Sequence, residues 1–325
     1  MNSKPFFMVG VDTEADDQWT LEGRKLLSVE NARALPRLQS LCDLYGVRPS
    51  YLVTHEMATR EPSRSILRDL AAAGHCEIGA HLHPWSSPPY RAEDLAGRYP
   101  SQLPDDVLAI QLKELTEAIE SSIGVRPVSY RAGRHGFDTR SLKILESLGY
   151  LVDTSIDPLF NETRKGGPSF AGAPVGPYWP NASDVLASGS SLILEIPVSS
   201  ATHPWLPKIL ERHYTSLPSI PWRGYLKRLG VRAVWLRPSY SSVEDAKALA
   251  SALVARGVPT LNMLFHSSEL VPGGSPYNKT EGDVDRFFER LERVFEHVMK
   301  QLGARGVTYR ECAEALELPR PEAAA

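Results

Sequence analysis

Short apolar runs bounded by polar residues recur along the chain, and each is followed by a stretch whose apolar residues repeat at helical spacing. Phe6–Val11 is the first run and reads as a buried strand. Pro49–Val53, Glu77–Ala80, Pro127–Tyr130, Tyr150–Ile156, Leu192–Val198, Arg232–Leu236 and Thr260–Phe265 follow, with a short strand near Val307. Between them the pattern predicts helices over Val29–Tyr45, Ser65–Ala73, Asp105–Ser122, Asp138–Leu148, Val243–Arg256, Asp283–Leu302 and Arg310–Leu316. Pro36 marks a break within the first of these. Gly74, Gly124, Gly149 and Gly257 stop their helices, and Asp138 is placed to cap its own. Asp283–Leu302 is the clearest helix, because Phe287, Phe288, Leu291, Val294, Phe295, Val298, Met299 and Leu302 fall on one face.

Seven or eight strands alternating with helices imply a parallel sheet, and a barrel is the economical way to close that many. A doubly wound open sheet is the rival. Its nucleotide-binding versions lose support because neither a GxGxxG nor a Walker-type loop follows the first strand. The expected organisation is one barrel over residues 1–318 with a disordered tail at 319–325. Three long loops, Pro158–Ser190, Ser199–Gly230 and Leu270–Gly282, mark functional or mobile segments.

The chain has 325 residues and is 42% hydrophobic, enough for a large core. A net charge of −3 gives no footprint for nucleic acid or an anionic membrane. Cys42, Cys76 and Cys312 are odd in number and scattered, which argues against a disulfide framework or a zinc ribbon. No apolar run reaches membrane-spanning length, and the first apolar run is too short for a signal-peptide core. The expected location is cytoplasmic.

Reactive residue types cluster at the predicted strand ends. Asp12 and Glu14 follow the first strand, His55 the second, His81 and His83 the third and Arg131 the fourth. Asp153 lies in the fifth, Ser199 and Ser200 follow the sixth, and Arg237 and His266 follow the next two. In an α/β barrel these ends share one mouth. Residues two apart in an extended chain point the same way, so two acids and two imidazoles can face one point. Two histidines and a carboxylate suit a catalytic Zn²⁺ or similar ion with positions left for water and substrate. The spare carboxylate can then act as general base, with His266 as general acid and Arg131 orienting the base. Singly, each residue has an ordinary reading as a cap, a salt-bridge partner or a surface imidazole. Their joint fall on strand ends carries the functional one.

Four segments together resemble the ordered motifs of the polysaccharide deacetylases: Val11-Asp12-Thr13-Glu14, the run from Gly74 to Trp85, the run from Tyr130 to Gly136, and the run from Leu261 to Ser268. Val47–Val53 and Leu148–Ser155 resemble that family's second and fifth strands, so the likeness spans about residues 6 to 270. The resemblance implies a distorted (β/α)7 barrel and metal-dependent hydrolysis of an N-acetyl group. It makes Asp12 the base and Glu14 a metal ligand, with the opposite assignment open, and makes His81 the first metal histidine. The family's second histidine lies four residues later, where this chain has Trp85, and His83 is the nearby substitute. Arg131 matches the arginine that contacts the base, and His266 the histidine that protonates the leaving amine. The Asp/Trp pair that tunes this histidine has no match assigned in the chain. Arg134 stands near the position of an aromatic whose backbone N–H helps bind the oxyanion. Its charge is also suited to a phosphate or carboxylate.

The expected cofactor is one divalent ion, with zinc first and cobalt, manganese or nickel as alternatives. Trp85, Tyr90, Tyr178, Trp179 and Trp205 are candidates to stack on sugar rings, with Trp85, Arg134 and Trp179 the expected substrate contacts. The expected partner is an N-acetylated sugar, free or linked to a nucleotide or lipid; the oligomeric state is open. Three other readings compete: a carboxylate glycoside hydrolase pairing Glu195 with Glu14, a non-catalytic glycan-binding barrel, and a hydrolase of a non-sugar C–N bond.

Overall fold

A computed structural model describes residues 4–203 and 231–319. Its strands are β1 (Phe6–Thr13), β2 (Pro49–Val53), β3 (Glu77–Leu82), β4 (Ser129–Ala132), β5 (Val152–Asp153), β6 (Pro180–Asn181), β7 (Asp184–Ser188), β8 (Leu194–Glu195), β9 (Ser200–His203), β10 (Arg232–Trp235), β11 (Thr260–His266) and β12 (Arg305–Gly306). Seven of them form one parallel sheet in the order β11-β1-β2-β3-β4-β5-β8, with β12 added beside the start of β1. With helices on the outside, this is the distorted (β/α)7 barrel expected from the sequence.

Burial follows the two-residue period of a strand. In β1, Phe7, Val9 and Val11 join the large core under the helices, while Met8 belongs to a separate interior cluster with Leu52, Val307 and Tyr309. The interior column of β1 is therefore Met8, Gly10 and Asp12. Outside, Leu108, Leu112, Leu115 and Ile119 of helix Asp105–Ile123 and Phe287, Leu291 and Val294 of helix Glu281–Phe295 are buried. Each such side chain contributes about 1.5–3 kcal/mol as an upper estimate.

The two ends of the sheet path, β8 and β11, share no strand ladder among the described residues. Polar contacts close the seam instead. Ser199 N–H donates to the Asn262 carbonyl at 3.0 Å, and Asn262 Nδ2 donates to the carbonyls of Ile196 (3.0 Å) and Pro197 (3.1 Å). Leu236 N–H donates to the Ser199 carbonyl at 2.8 Å, and Leu264 N–H to the Leu236 carbonyl at 3.2 Å.

Several elements differ from the expectation. The Arg232–Leu236 run forms β10, but it pairs antiparallel with β9 outside the barrel path. Only Val234 of its four residues is buried, which suits a half-exposed ribbon rather than a barrel strand. The predicted strands Tyr150–Ile156 and Leu192–Val198 shrink to β5 and β8, because side chains there take over backbone partners: Ser155 N–H donates to Asp153 (3.1 Å) and Ile156 N–H to Glu195 (3.2 Å). The first predicted helix divides into a 3₁₀ turn, Glu30–Ala34, and an α-helix, Leu35–Tyr45. Pro36 sits in that helix's first turn, where a missing N–H is harmless, so it starts the helix rather than breaking it. The loop Pro158–Ser190 contains the β6–β7 hairpin. Residues 204–230, with Trp205, and the tail from 320 lie outside the described residues. Among the described residues no helix is long and apolar enough to cross a membrane.

The last helix, Tyr309–Ala315, is capped by Thr308 and closes the barrel end opposite the strand C-termini. Tyr309 N–H donates to Ser50 at the start of β2, and Arg310 N–H to Glu77 at the start of β3.

Candidate active site

Strand register builds the site. β1 and β11 align Asp12 with His266, and β3 and β4 align His81 with Arg131. These four residues lie at or near the ends of their strands rather than beyond them. Glu14 and His83 follow two residues after Asp12 and His81, and the expected convergence results: one ligand atom from each of Glu14, His81 and His83 lies within 4.8 Å of the others. Both imidazoles approach the same Glu14 oxygen, His83 Nε2 at 2.7 Å and His81 Nε2 at 3.8 Å.

The donor chemistry fits a divalent cation. All three side chains are buried. His81 Nδ1 lies 2.9 Å from the Arg131 carbonyl, so Nδ1–H donates there and Nε2 is left as a ligand. Burial pushes His83 down to about 4, which keeps it in the neutral form that coordinates metal. Buried His83 Nδ1 has no hydrogen-bond partner among the described residues. Burial alone would raise Glu14, but His266 and the hydrogen bonds from His81 and His83 hold it well below the carboxylate range. His81 moves the other way: burial opposes its protonation, and the charges of Asp12 and Glu14 overcome that.

Asp12 is held from below. Its Oδ1 accepts from Arg131 Nη1 at 2.5 Å. Burial would raise its carboxyl, but Arg131, with His81 and His266, keeps it below the ordinary value. Arg131 is only 1% exposed, and its other donors are used: Nε donates to the Thr154 carbonyl at 3.0 Å and Nη2 to Tyr309 Oη at 2.7 Å. Tyr309 Oη in turn donates to Asn262 Oδ1 at 2.8 Å. Gly10 makes this possible, since a Cβ there would stand 2.6 Å from Arg131 Nη2.

His266 Nε2 lies 3.9 Å from both Asp12 Oδ2 and Glu14 Oε1. Its Nδ1 is 2.8 Å from Glu269 Oε1, so Nδ1–H donates to that carboxylate and Nε2 faces the cleft. Burial would raise Glu269; His266 and Arg237 hold it ionised. Ser239 Oγ also donates to Glu269. Trp19 meets the His266 ring edge-on at 5.2 Å between centroids.

These groups line a cleft of about 410 Å³ that also holds Trp85 and Arg134. Trp85 is 4% exposed and stacks on His83 at 4.2 Å between centroids, with its indole N–H donating to Gln18 at 2.6 Å. It supports a metal-ligand candidate. Trp179, an expected substrate contact, belongs instead to the buried interior cluster that includes Val152, Leu194 and Ile196, and does not border the cleft. Tyr90 and Tyr178 also lie outside it. Glu195 faces Asp153 in register rather than Glu14, which removes the carboxylate pair of the glycosidase alternative. His55 opens a short helix, His55–Thr59, away from the cleft. Sequence reasoning missed Glu269 and Tyr309. Glu269 had a signal, an acid three residues past His266 at a predicted strand end. Tyr309 had none, being 178 residues from Arg131.

No protein-family model matches the chain, and a comparison with curated proteins finds no match either. Solved structures do match. A protein from Mycobacterium smegmatis described as a polysaccharide deacetylase superposes with a TM-score of 0.53 at 18% identity, over 99% of this chain and 97% of the other. A Parabacteroides distasonis protein described as a glycoside hydrolase/deacetylase gives 0.63 at 13% identity, over 96% of this chain and 72% of the other. The fold is that of the polysaccharide deacetylases. It is also shared by the GH57 branching enzyme of Thermococcus kodakaraensis, with a TM-score of 0.54 at 12% identity over 98% of this chain and 72% of the other. Activity therefore has to be argued from the site.

Proposed function

We propose that the protein is a metal-dependent hydrolase that removes the acetyl group from an N-acetylated sugar. One observation carries the reading: the Glu14–His81–His83 cluster lies between an arginine-held carboxylate, Asp12, and a carboxylate-held imidazole, His266. A divalent ion held by Glu14, His81 and His83, zinc by the chemistry of the donors, would supply Lewis-acid polarisation of the amide carbonyl and acidify a water.

The chain's own groups do the rest. Asp12 is ionised, and with Oδ1 fixed by Arg131 its Oδ2 is free to take a proton from the attacking water. The backbone at Gly133–Arg134, in the 3₁₀ turn that follows β4 beside the cleft, would hold the developing oxyanion. Glu269 accepts from His266 Nδ1–H and fixes the tautomer, so Nε2 faces the cleft as the atom from which a proton would pass to the leaving amine. Both imidazoles approach one oxygen of Glu14 while Arg131 holds Asp12, which supports Glu14 as ligand and Asp12 as base.

The test is acetate release from a panel of free, nucleotide-linked and lipid-linked N-acetyl sugars, with and without added Zn²⁺ and with chelator. Metal-dependent release is expected. Turnover that persists in strong chelator, or cleavage of a glycosidic bond without acetate, would sink the proposal.

A further inference from the structure

The cations around the cleft are not equivalent. Arg131 is paired with Asp12, Arg237 with Glu269 and Lys165 with Glu162. Arg24 and Arg134 line the same cleft, and neither has a carboxylate within 4.0 Å among the described residues. They are also close together. A Cβ on Gly97 would stand 2.9 Å from Arg24 Nη1 and 3.2 Å from Arg134 Nη1, and Gly97 has φ +84° and no side chain to separate them.

Both guanidiniums are held in place by neutral groups. Arg24 Nε donates to the Gln18 carbonyl at 2.9 Å and Nη1 to the Leu95 carbonyl at 3.1 Å. Arg134 Nη2 donates to Tyr99 Oη at 2.8 Å, and its guanidinium lies over the Tyr99 ring at 4.0 Å. The Arg134 backbone is left-handed at φ 54°, an uncommon conformation for a residue with a side chain, and one that persists where surroundings fix it. Arg24 lies 5.0 Å from the Trp85 ring centre, and Trp85 stacks on His83, so the pair sits one ring from the metal-ligand cluster. Burial and the neighbouring Arg134 charge press Arg24 below the usual guanidinium range, against the weaker pull of Glu14 and Asp17.

Two like charges fixed near one point, with no carboxylate in ion-pair contact with either among the described residues, describe a site prepared for anionic oxygens, which guanidinium forks match in geometry. We infer that Arg24 and Arg134 form an anion subsite, and that the substrate is an N-acetylated sugar carrying a phosphate or carboxylate group. This substrate class rests on the deacetylase reading of the cleft; the anion subsite itself does not.

Calorimetric titration of the zinc-loaded full chain tests it, using N-acetylglucosamine, its 1-phosphate and the corresponding uronate. The anionic sugars are expected to bind about tenfold more tightly than the neutral one, with the preference falling at high salt. R24Q and R134G should each lose most of that preference and the double variant all of it; glycine suits the left-handed backbone at 134, so R134G guards against misfolding. A preference for the 1-phosphate alone identifies phosphate as the group, and for the uronate alone, carboxylate. Equal binding of all three sugars, no measurable binding of the anionic ones, or a preference that survives in the double variant overturns the inference. The last result would place the anion on the metal instead. Acetate release from the same sugars separates the two proposals. Anion preference without any release retires the deacetylase and keeps the subsite, whereas release without preference does the reverse.

Discussion

Tyr309 Oη and Arg131 Nη2 lie 2.7 Å apart across 178 residues of sequence, and through this contact the last helix supports the group that holds Asp12. Tyr309→Phe leaves a buried guanidinium donor and the Asn262 side chain short of a partner. The expected cost is about 1–3 kcal/mol of stability. Acetate release should fall while metal content is unchanged, because Tyr309 touches no ligand. Thermal unfolding, elemental analysis and kcat/KM on one sample check all three; a variant that loses its metal would contradict this positioning role.

Glu269→Gln keeps a hydrogen-bond acceptor beside His266 Nδ1 but removes the negative charge 2.8 Å from the ring nitrogen. A drop of about tenfold or more in kcat is expected, with KM little changed. His266→Ala should lose about 10²–10⁴-fold. If the two variants were both fully active, His266 would not be the proton donor.

His81→Ala removes one of three ligand candidates. After dialysis, elemental analysis should find about one divalent ion per wild-type chain and little in the variant. Equal metal in both would place the ion elsewhere.

Asp153 and Glu195 face each other, fully buried, across β5 and β8. Burial, reinforced by the Asp153 charge, pushes Glu195 well above the ordinary glutamate range. A carboxyl whose folded pKa is raised binds its proton more tightly in the native state, so its stabilisation is complete at acid pH and is lost as pH rises toward the folded value. Glu195→Gln carries a permanent donor in its place. Its melting temperature should fall less than that of the wild type as pH rises above the ordinary glutamate range. Parallel curves would show that the pair does not share a proton.

The chain order of strands and helices was legible because apolar runs and helical spacing report burial directly. The Asp12/Glu14 and His81/His83 pairs were legible because residues two apart on a strand share a face. What failed depended on partners remote in sequence. Nothing near Arg232 says that its strand leaves the barrel for Ser200–His203, and Trp179 looks like any loop aromatic until Val152 and Leu194 enclose it. The pairing of Glu195 with Asp153 was hidden for the same reason, since register is set by the whole sheet.

The seam between β8 and β11 has a consequence for how such a protein diversifies. The chain departs at Ser199 and returns at Leu236, and those two residues are hydrogen-bonded to each other and through Asn262 and Leu264 to β11. An excursion whose ends are already tied together can lengthen at little entropic cost, since each doubling adds only about 0.6 kcal/mol. Changes of length between Ser199 and Leu236 therefore cost little in chain closure and keep the seam itself, making this stretch a place where descendants of one ancestor acquire different substrates while inheriting the same chemistry.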